Sequence, residues 1–555
     1  MQGKEGFKTK ILSPEKIIDL SDQEAFIYLE KLLANPQDTQ EQLLINIVND
    51  AVQTEFGKRF QFDQIKTVED FQEKVPISEY CDYKELIDII AEQGSQDLLF
   101  SGETRQFIAT SGTTGTPKLF PESQKGSQIK ALVSKIRAIK MMMMAKEVME
   151  PGAKVLAIAN PAAYGVAKSG IKIGSASGQA ASDLPPELLK KMVLPTELLL
   201  AKDLSNETID YLTMFYMLRE ENLVGVVSSN IAHFELLLEQ LEMYIDELTD
   251  DIENGKLSHK LEIAIPLRKK LEENLVSDCN RAHSLRQAFA QTEVFPMHEI
   301  WPNFSVIACW LSSSTGRVAS SFKSRIPEKI KFLEWGYGAS EGKFNIPDQL
   351  GDPAGPFADF GYFFEFLPPG DTKPKLLHEL EENEAYELII TSYSGLYRYN
   401  LKDLVWVKEI KNKVPRLQFL SKSSEKMTID EQDIYVYEVD QSLDAVSRDL
   451  NMGVHFYEVM LDRPNAAIHF FIEPLNEDWQ TDSYAVALEK TLQASVSAYR
   501  DLRQNNVLKP LMVTEMVKGY RNGKIKRAVM PGKNVNQTKL KTIIKENPDT
   551  ADFHR

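Results

Sequence analysis

Phe107-Ile108-Ala109-Thr110-Ser111-Gly112-Thr113-Thr114-Gly115-Thr116-Pro117-Lys118 is an apolar strand that runs into an unbroken series of hydroxyls and glycines. Backbone N–H groups and hydroxyls in such a loop can wrap phosphate oxygens, the glycines let the backbone approach closely, and Lys118 adds a positive charge. The segment is read as a polyphosphate-binding loop at the end of a strand. It is not a Walker A loop: that pattern needs Gly at 117 and Ser or Thr at 119, where Pro117 and Leu119 stand. An ordinary Ser/Thr/Gly turn is the competing reading.

Three further segments extend the pattern. In Trp335-Gly336-Tyr337-Gly338-Ala339-Ser340-Glu341 a strand ends in small residues carrying an aromatic, a hydroxyl and a carboxylate. The aromatic can stack on a base, the hydroxyl can reach a phosphate and Glu341 can hold Mg²⁺; a turn with an exposed glutamate reads equally well. In Gly395–Val407, Asp403 stands immediately before a β-rich run, where a carboxylate can accept ribose hydroxyls. A surface ion pair with Arg398 or Lys402 is the alternative. Asn522-Gly523-Lys524-Ile525-Lys526-Arg527 reads as a basic hairpin-like turn in an acidic protein, either solvated or delivering Lys524 or Lys526 to a distant site.

The surrounding chain has 555 residues, 43% hydrophobic and 26% charged, as an ordinary soluble globular protein does. That length exceeds the roughly 250–300 residues of one core, so a large and a smaller domain are expected. With 64 basic against 81 acidic residues the net charge is −17, which repels nucleic acid and anionic lipid. Three scattered cysteines and eight histidines without metal-ligand spacing argue against a disulfide framework or a transition-metal site, and fit a reducing cytoplasm. No signal peptide or membrane-spanning run is visible.

Periodicity predicts a helical cap over residues 21–95 and a long helix over 126–149, with Ile129, Leu132, Val133, Ile136 and Ile139 on one stripe that runs into Met141–Met144. The methionines fit a pliable apolar pocket or a helix buried on several faces. Short β-rich runs alternate with helices between 153 and 405, which predicts a mixed or parallel sheet. The expected fold is α/β: a large N-terminal domain, 1–420, of helices packed on mixed β-sheets; a polar hinge, 421–430; and a small mobile α+β domain, 431–555.

In this order the segments resemble the adenylate-forming superfamily of acyl-CoA synthetases, peptide-synthetase adenylation domains and luciferases. Val75-Pro76-Ile77-Ser78-Glu79-Tyr80, Ile300-Trp301-Pro302-Asn303 followed by a strand ending Cys309-Trp310, Phe363–Pro368 and Gly395–Val407 narrow the resemblance to the Gretchen Hagen family of acyl acid amido synthetases. It covers roughly residues 55–530. The resemblance implies a two-step reaction. A carboxylic acid attacks the α-phosphate of ATP, with Mg²⁺, to give an acyl adenylate and pyrophosphate; an amino acid amine then takes the acyl group and AMP leaves.

It further implies that Thr110, Ser111, Gly112, Thr113, Thr114 and Lys118 form the phosphate loop, that Tyr337 and Ser340 contact the nucleotide, and that Glu341 ligates Mg²⁺. Asp403 would take the ribose hydroxyls, Phe419 would pack near adenosine and Lys422 would contribute charge at the hinge. Thr110 replaces a serine and keeps its hydroxyl; Asn400-Leu401-Lys402 replaces an arginine and glycine; and Glu431-Gln432-Asp433 stands where the family has a lysine, which transfers the expected adenylation lysine to Lys524 or Lys526. In-line attack on phosphate needs positioning and charge neutralisation, so no catalytic Ser or His is assigned.

The acyl pocket is expected between the helical cap and the sheet, drawing on the 126–149 helix, Tyr164–Ile173 and Val226–Ile231. The partners are then a small carboxylic acid and an amino acid, with neither nucleic acid nor membrane insertion, and an open oligomeric state. An acyl-CoA ligase and a non-catalytic nucleotide-binding relative are the alternatives.

Overall fold

Where the sequence alternates strand and helix, the computed structural model forms two compact units, and it describes residues 11–17, 19–33, 35–110, 117–158, 165–175, 190–199, 201, 204–290, 295–475, 477–528 and 540–549. The larger unit takes in residues 1–229, 241–310 and 331–419; the smaller takes in 230–240, 311–330 and 420–555.

Three sheets build the larger unit. β3 (Lys154–Ile158), β6 (Leu223–Ser228), β7 (Val306–Cys309) and β8 (Lys331–Glu334) form a four-stranded sheet in that order, every pair parallel. These strands are short apolar runs, as strands covered on both faces must be. A second sheet joins β1 (Thr104–Ala109) to β2 (Leu119–Ser123), to β5 (Lys172–Gly174) and through it to β4 (Gly165–Val166). The third runs in the order β11 (Lys375–Leu376), β10 (Tyr362–Leu367), β12 (Ala385–Ser392), β13 (Tyr399–Lys411), β14 (Val414–Lys422) and β9 (Gly355–Pro356).

The helical cap packs on that third sheet. Helices Asp22–Leu33, Pro36–Asp50 and Tyr80–Gln93 bury Leu29, Leu32, Leu43, Leu44, Ile47, Leu86, Ile87 and Ile90 in one core with Phe363, Phe364 and Leu388. Directional bonds fix the seat: Gln40 Nε2 donates to the carbonyls of Asp359 (2.6 Å) and Tyr362 (2.8 Å), and its Oε1 accepts from Phe364 N (2.7 Å). Arg398 on the approach to β13 donates to both oxygens of Glu365 at 2.9 Å and to the carbonyls of Gln72 and Val75. Both members of this pair are buried, so the carboxylate and the two carbonyls replace the water the guanidinium lost.

The long helix runs Gln124–Met144, with Ser123 as its N-cap accepting from Gly126 N at 2.9 Å. Ile129, Leu132, Val133 and Ile136 are buried as the stripe predicts.

In the smaller unit β17 (Val454–Asp462), β18 (Ala467–Pro474) and β19 (Met512–Glu515) form one sheet, β18 and β19 parallel. Helices Val436–Leu450 and Thr481–Ser495 place Leu443, Val446, Leu488 and Leu492 in one core with Phe470 and Ile472 from that sheet. The polar stretch read as a hinge is regular structure: β14 ends at Lys422, Glu425 N bonds Lys422 O at 2.9 Å, and β15 (Lys426–Ile429) pairs with β16 (Gln432–Tyr435).

The basic segment read as a hairpin-like turn is instead part of a helix, Tyr520–Ala528. Asn-Gly makes a hairpin only between two pairing strands. Here Glu473 accepts from Gly519 N (2.6 Å) and Arg521 N (2.8 Å), satisfying the free amides of a helix start.

Candidate active site

β1 delivers Thr110 to the mouth of the hydroxyl-rich loop. Thr110 N bonds Lys118 O at 3.0 Å and Lys118 N bonds Thr110 Oγ1 at 3.1 Å, closing the base of a hairpin. The loop members Ser111, Gly112, Thr113 and Thr114 lie outside the described residues. Lys118 is exposed, with its ammonium 5.2 Å from the centre of the Tyr80 ring.

The segment after β8 turns back onto this strand end. Ser340 Oγ donates to Ala109 O at 3.4 Å, so the second segment reaches the first although they are far apart in sequence. Beneath it Lys130, on the long helix, donates to Ser340 O at 3.1 Å and pairs with buried Glu122 at 2.9 Å. Burial pulls this ammonium's pKa down, but Glu122 and, further off, Glu341 outweigh it and leave it above the ordinary lysine value. Glu341 itself is half-buried on the same loop.

Tyr337 is held at three points: its N–H donates to Asn345 Oδ1 (2.7 Å), its carbonyl accepts from Arg137 Nη2 (2.7 Å), and its hydroxyl donates to Asp403 Oδ2 (2.6 Å). Burial first, and Asp403 second, push the Tyr337 hydroxyl far above the ordinary tyrosine value, so it stays a donor. Its ring stacks on Phe419, centroids 5.1 Å apart and planes 19° apart. Tyr337, Phe419 and Asp403 are thus brought together, as are Ser340 and Thr110's strand.

Two backbone details explain the local sequence. Gly336 has φ +96°, and a Cβ there would stand 2.5 Å from the Arg137 guanidinium, so only glycine fits. Asp403 lies within β13 and not before a strand as read from sequence; Lys402 ahead of it takes φ +57°, and Asn400 Oδ1 accepts from Lys402 N at 2.8 Å. The asparagine supplies a local bond that lets a lysine occupy a conformation glycine would favour. Neither surface pairing considered for Asp403 forms: Arg398 is committed to Glu365, and Lys402 lies near Glu79 and Glu387.

Next to this cluster a cavity of about 150 Å³ lies between the long helix and the parallel sheet. Met141, Met142, Val226, Val306, Leu333 and Trp335 are among its walls. Ser228, Ser229 and Trp335 stand at the carboxyl ends of their strands, where open parallel sheets bind ligands. The long helix and Val226–Ser229 line this cavity, and neither the 21–95 cap nor the described residues of 165–173 do. Of the latter, Gly165 and Val166 form β4, which pairs with β5, and β5 pairs with β1.

Arg137 also lines the cavity and was missed from sequence. Its Nε donates to Asn345 O at 2.9 Å and its Nη2 to Tyr337 O at 2.7 Å. Burial lowers its pKa to about 10, opposed by Glu334, so it is charged at neutral pH. A lone arginine inside an apolar helical stripe was the signal available.

The remaining candidates lie in the smaller unit. Lys422 is half-buried at the end of β14. Lys524, on the helix Tyr520–Ala528, bridges to buried Glu458 and stands 5.4 Å over the Tyr520 ring. Lys526 is on the same helix, and its side chain lies outside the described residues.

Magnesium takes oxygen ligands, commonly one or two carboxylates plus substrate phosphates and water. Glu341 beside Ser340 fits such a site, with most ligands supplied by nucleotide and solvent. No group of three or more His, Cys, Asp or Glu residues that could hold a metal occurs among the described residues.

An α/β unit with a hydroxyl-rich strand–loop junction, a Tyr-Gly-x-Ser-Glu turn on it and an aspartate bonded to that tyrosine is the arrangement of the adenylate-forming enzymes. The chain matches the GH3 family N-terminal domain over residues 26–330, the central domain over 356–422 and the C-terminal domain over 437–548. It belongs to the GH3 family. It is 23% identical over 470 residues to an indole-3-acetic acid-amido synthetase of Arabidopsis thaliana, covering 77% of this chain and 81% of that protein. It is 23% identical over 512 residues to a jasmonoyl–L-amino acid synthetase of Nicotiana attenuata, covering 88% and 83%. The solved structure of an acyl acid amido synthetase, AtGH3.15 with 2,4-DB, superposes with a TM-score of 0.79 at 18% identity, covering 97% of this chain and 96% of that one.

Proposed function

We propose that this protein is an ATP-dependent acyl acid amido synthetase. The carboxylate oxygen of a small acid attacks the α-phosphorus of ATP, the bond to the bridging oxygen breaks and pyrophosphate leaves. The amine nitrogen of an amino acid then attacks the acyl carbon, an amide forms and AMP departs. The observation that carries this reading is the Tyr337–Asp403 bond with Phe419 stacked on Tyr337, on the loop that touches the end of β1. Asp403 offers a carboxylate to ribose hydroxyls, the tyrosine holds that carboxylate in place, and the aromatic faces receive adenine.

Thr110, Ser111, Gly112, Thr113, Thr114, Lys118 and Ser340 are assigned to the phosphates and Glu341 to Mg²⁺, which when bound neutralises phosphate charge. Lys422 is assigned a supporting charge at a hinge over 421–430, between domains at 1–420 and 431–555. Lys524 or Lys526 is assigned to the adenylation step. The Lys524–Glu458 ion pair favours a second reading for Lys524, that it braces its own helix. A cytoplasmic location is proposed from the three scattered cysteines, which fit a reducing compartment.

Acid-dependent exchange of pyrophosphate into ATP tests the first half-reaction, with Asp403→Ala in parallel. Exchange lost in the variant supports the assignment. Exchange with no acid, despite ATP binding, refutes it. Supplying amino acids or coenzyme A to the adenylate then identifies the acceptor: product with coenzyme A alone would refute amide formation. Lys524→Met that retains exchange would leave this lysine the bracing role.

A further inference from the structure

Resting on the synthetase reading above, one face of the long helix explains how the turn that carries Glu341 is held. Lys130, Ser134 and Arg137 follow the spacing i, i+4, i+7, which places them on one face of the helix Gln124–Met144. Each meets the segment Tyr337–Lys343. Arg137 donates to Tyr337 O at 2.7 Å, Lys130 donates to Ser340 O at 3.1 Å, and Ser134 Oγ accepts from Lys343 Nζ. The stripe grips the segment at both ends and in the middle, next to Glu341.

Lys130 differs from the other two because it also reaches the hairpin that carries the phosphate loop. Its ammonium pairs with Glu122 at 2.9 Å, and both side chains are at least nine-tenths buried. Glu122 lies on β2, the strand that leaves the loop, opposite Gln106 of β1, whose Nε2 donates to it at 2.6 Å. A buried ion pair adds little stability over apolar residues of the same volume, because desolvation consumes most of the attraction. What this pair provides is direction: a link from the hairpin, through one ammonium, to the main chain of Ser340. A Mg²⁺ ion shared between one carboxylate and nucleotide phosphates needs that carboxylate held in register with the residues around the phosphates.

We propose that Lys130 is a positioning residue for adenylation: anchored by Glu122, it fixes the Ser340–Glu341 turn relative to the β1–β2 hairpin, so that Glu341 meets the Mg²⁺ carried by the nucleotide.

The test uses the full chain, with Lys130→Met, Glu122→Gln and the double variant beside wild type. Three readouts are taken: the urea midpoint, ATP affinity by calorimetry with and without Mg²⁺, and pyrophosphate exchange with ATP and acid varied in turn. Each single variant leaves one buried charge unpaired and should lower the midpoint; the double removes both charges and should recover most of that loss. Exchange in the double should nevertheless stay at least roughly tenfold below wild type in kcat/KM for ATP, with the acid KM within about twofold, because the link to Ser340 is gone. In Lys130→Met and in the double, the factor by which Mg²⁺ strengthens ATP binding should fall at least about fivefold. The double keeps the test decisive if a single variant does not fold.

Exchange that returns together with stability in the double would overturn this inference and leave Lys130 a purely structural residue. An unchanged effect of Mg²⁺ on ATP binding in the double would do the same. If wild type binds ATP but exchanges with no acid, the synthetase reading falls, and the calorimetric effect of Mg²⁺ by itself then supports or overturns the placement of the turn by Lys130.

Discussion

Asp359 offers the sharpest test of the physical reading of the larger unit. It follows β9, is fully buried, and neither carboxylate oxygen has a hydrogen-bond partner among the described residues. Burial raises its pKa from the ordinary 3.8 to about 7. The folded state therefore holds a proton that the unfolded chain has released over this whole interval. Stability from this group is fully present below pH 3.8, falls as pH rises toward 7, and is then constant. At 1.36 kcal/mol per pH unit, the full loss is roughly 4 kcal/mol.

Asp359→Asn removes the ionisation and keeps the shape of the protonated acid. Urea unfolding of both proteins, followed at pH 4.5, 6 and 8 (roughly the interval concerned), gives the difference in midpoint free energy. The variant should gain on the wild type by about 3 kcal/mol between the lowest and highest pH, whatever constant offset its amide introduces. A difference that stays flat with pH would show that the carboxyl is solvated or partnered, and would refute the reasoning.

Other perturbations probe the site and its scaffold. Tyr337→Phe deletes the donor to Asp403 and should raise the ATP KM roughly tenfold, the equivalent of about 1.4 kcal/mol, with a smaller change in the acid KM; steady-state kinetics with each substrate varied would show it. Gly336→Ala forces a Cβ onto the Arg137 guanidinium at a positive φ and should lower the melting temperature and abolish exchange together. Arg398→Ala strands Glu365 in the core and should cost about 3–5 kcal/mol in chemical denaturation, more than Glu365→Gln, which leaves hydrogen-bonding capacity. Arg137→Gln should raise the acid KM at least tenfold while ATP binding, read by calorimetry, is retained; weakened ATP binding instead would assign Arg137 to the nucleotide.

Much of the architecture is legible because its signals are local. The stripe Ile129, Leu132, Val133 and Ile136 requires only the helical repeat, and the strands of the parallel sheet are short apolar runs whose burial needs no knowledge of their partners. Likewise the loop from Thr110 to Lys118 and the turn Tyr337–Glu341 carry their hydroxyls, glycines and carboxylate in consecutive residues, so the phosphate-holding role proposed for them needs no knowledge of contacts. Other features escape such reading. The turn signal in Asn522-Gly523 was overruled by Glu473, a residue distant in sequence that caps the helix start. The β-rich run that follows Asp403 reads as the strand, whereas β13 begins four residues earlier at Tyr399 and carries the left-handed Lys402 within it.

The sequence by itself determined the fold class and the family, because each depends on the order and spacing of neighbours along the chain. Only the tertiary structure decided that Tyr337 bonds Asp403, that Arg137 points a guanidinium at an apolar cavity, and that residues 230–240 and 311–330 pack with the smaller unit. Those outcomes depend on which distant surfaces exclude water together, and burial is a property of the assembled core that no single segment carries.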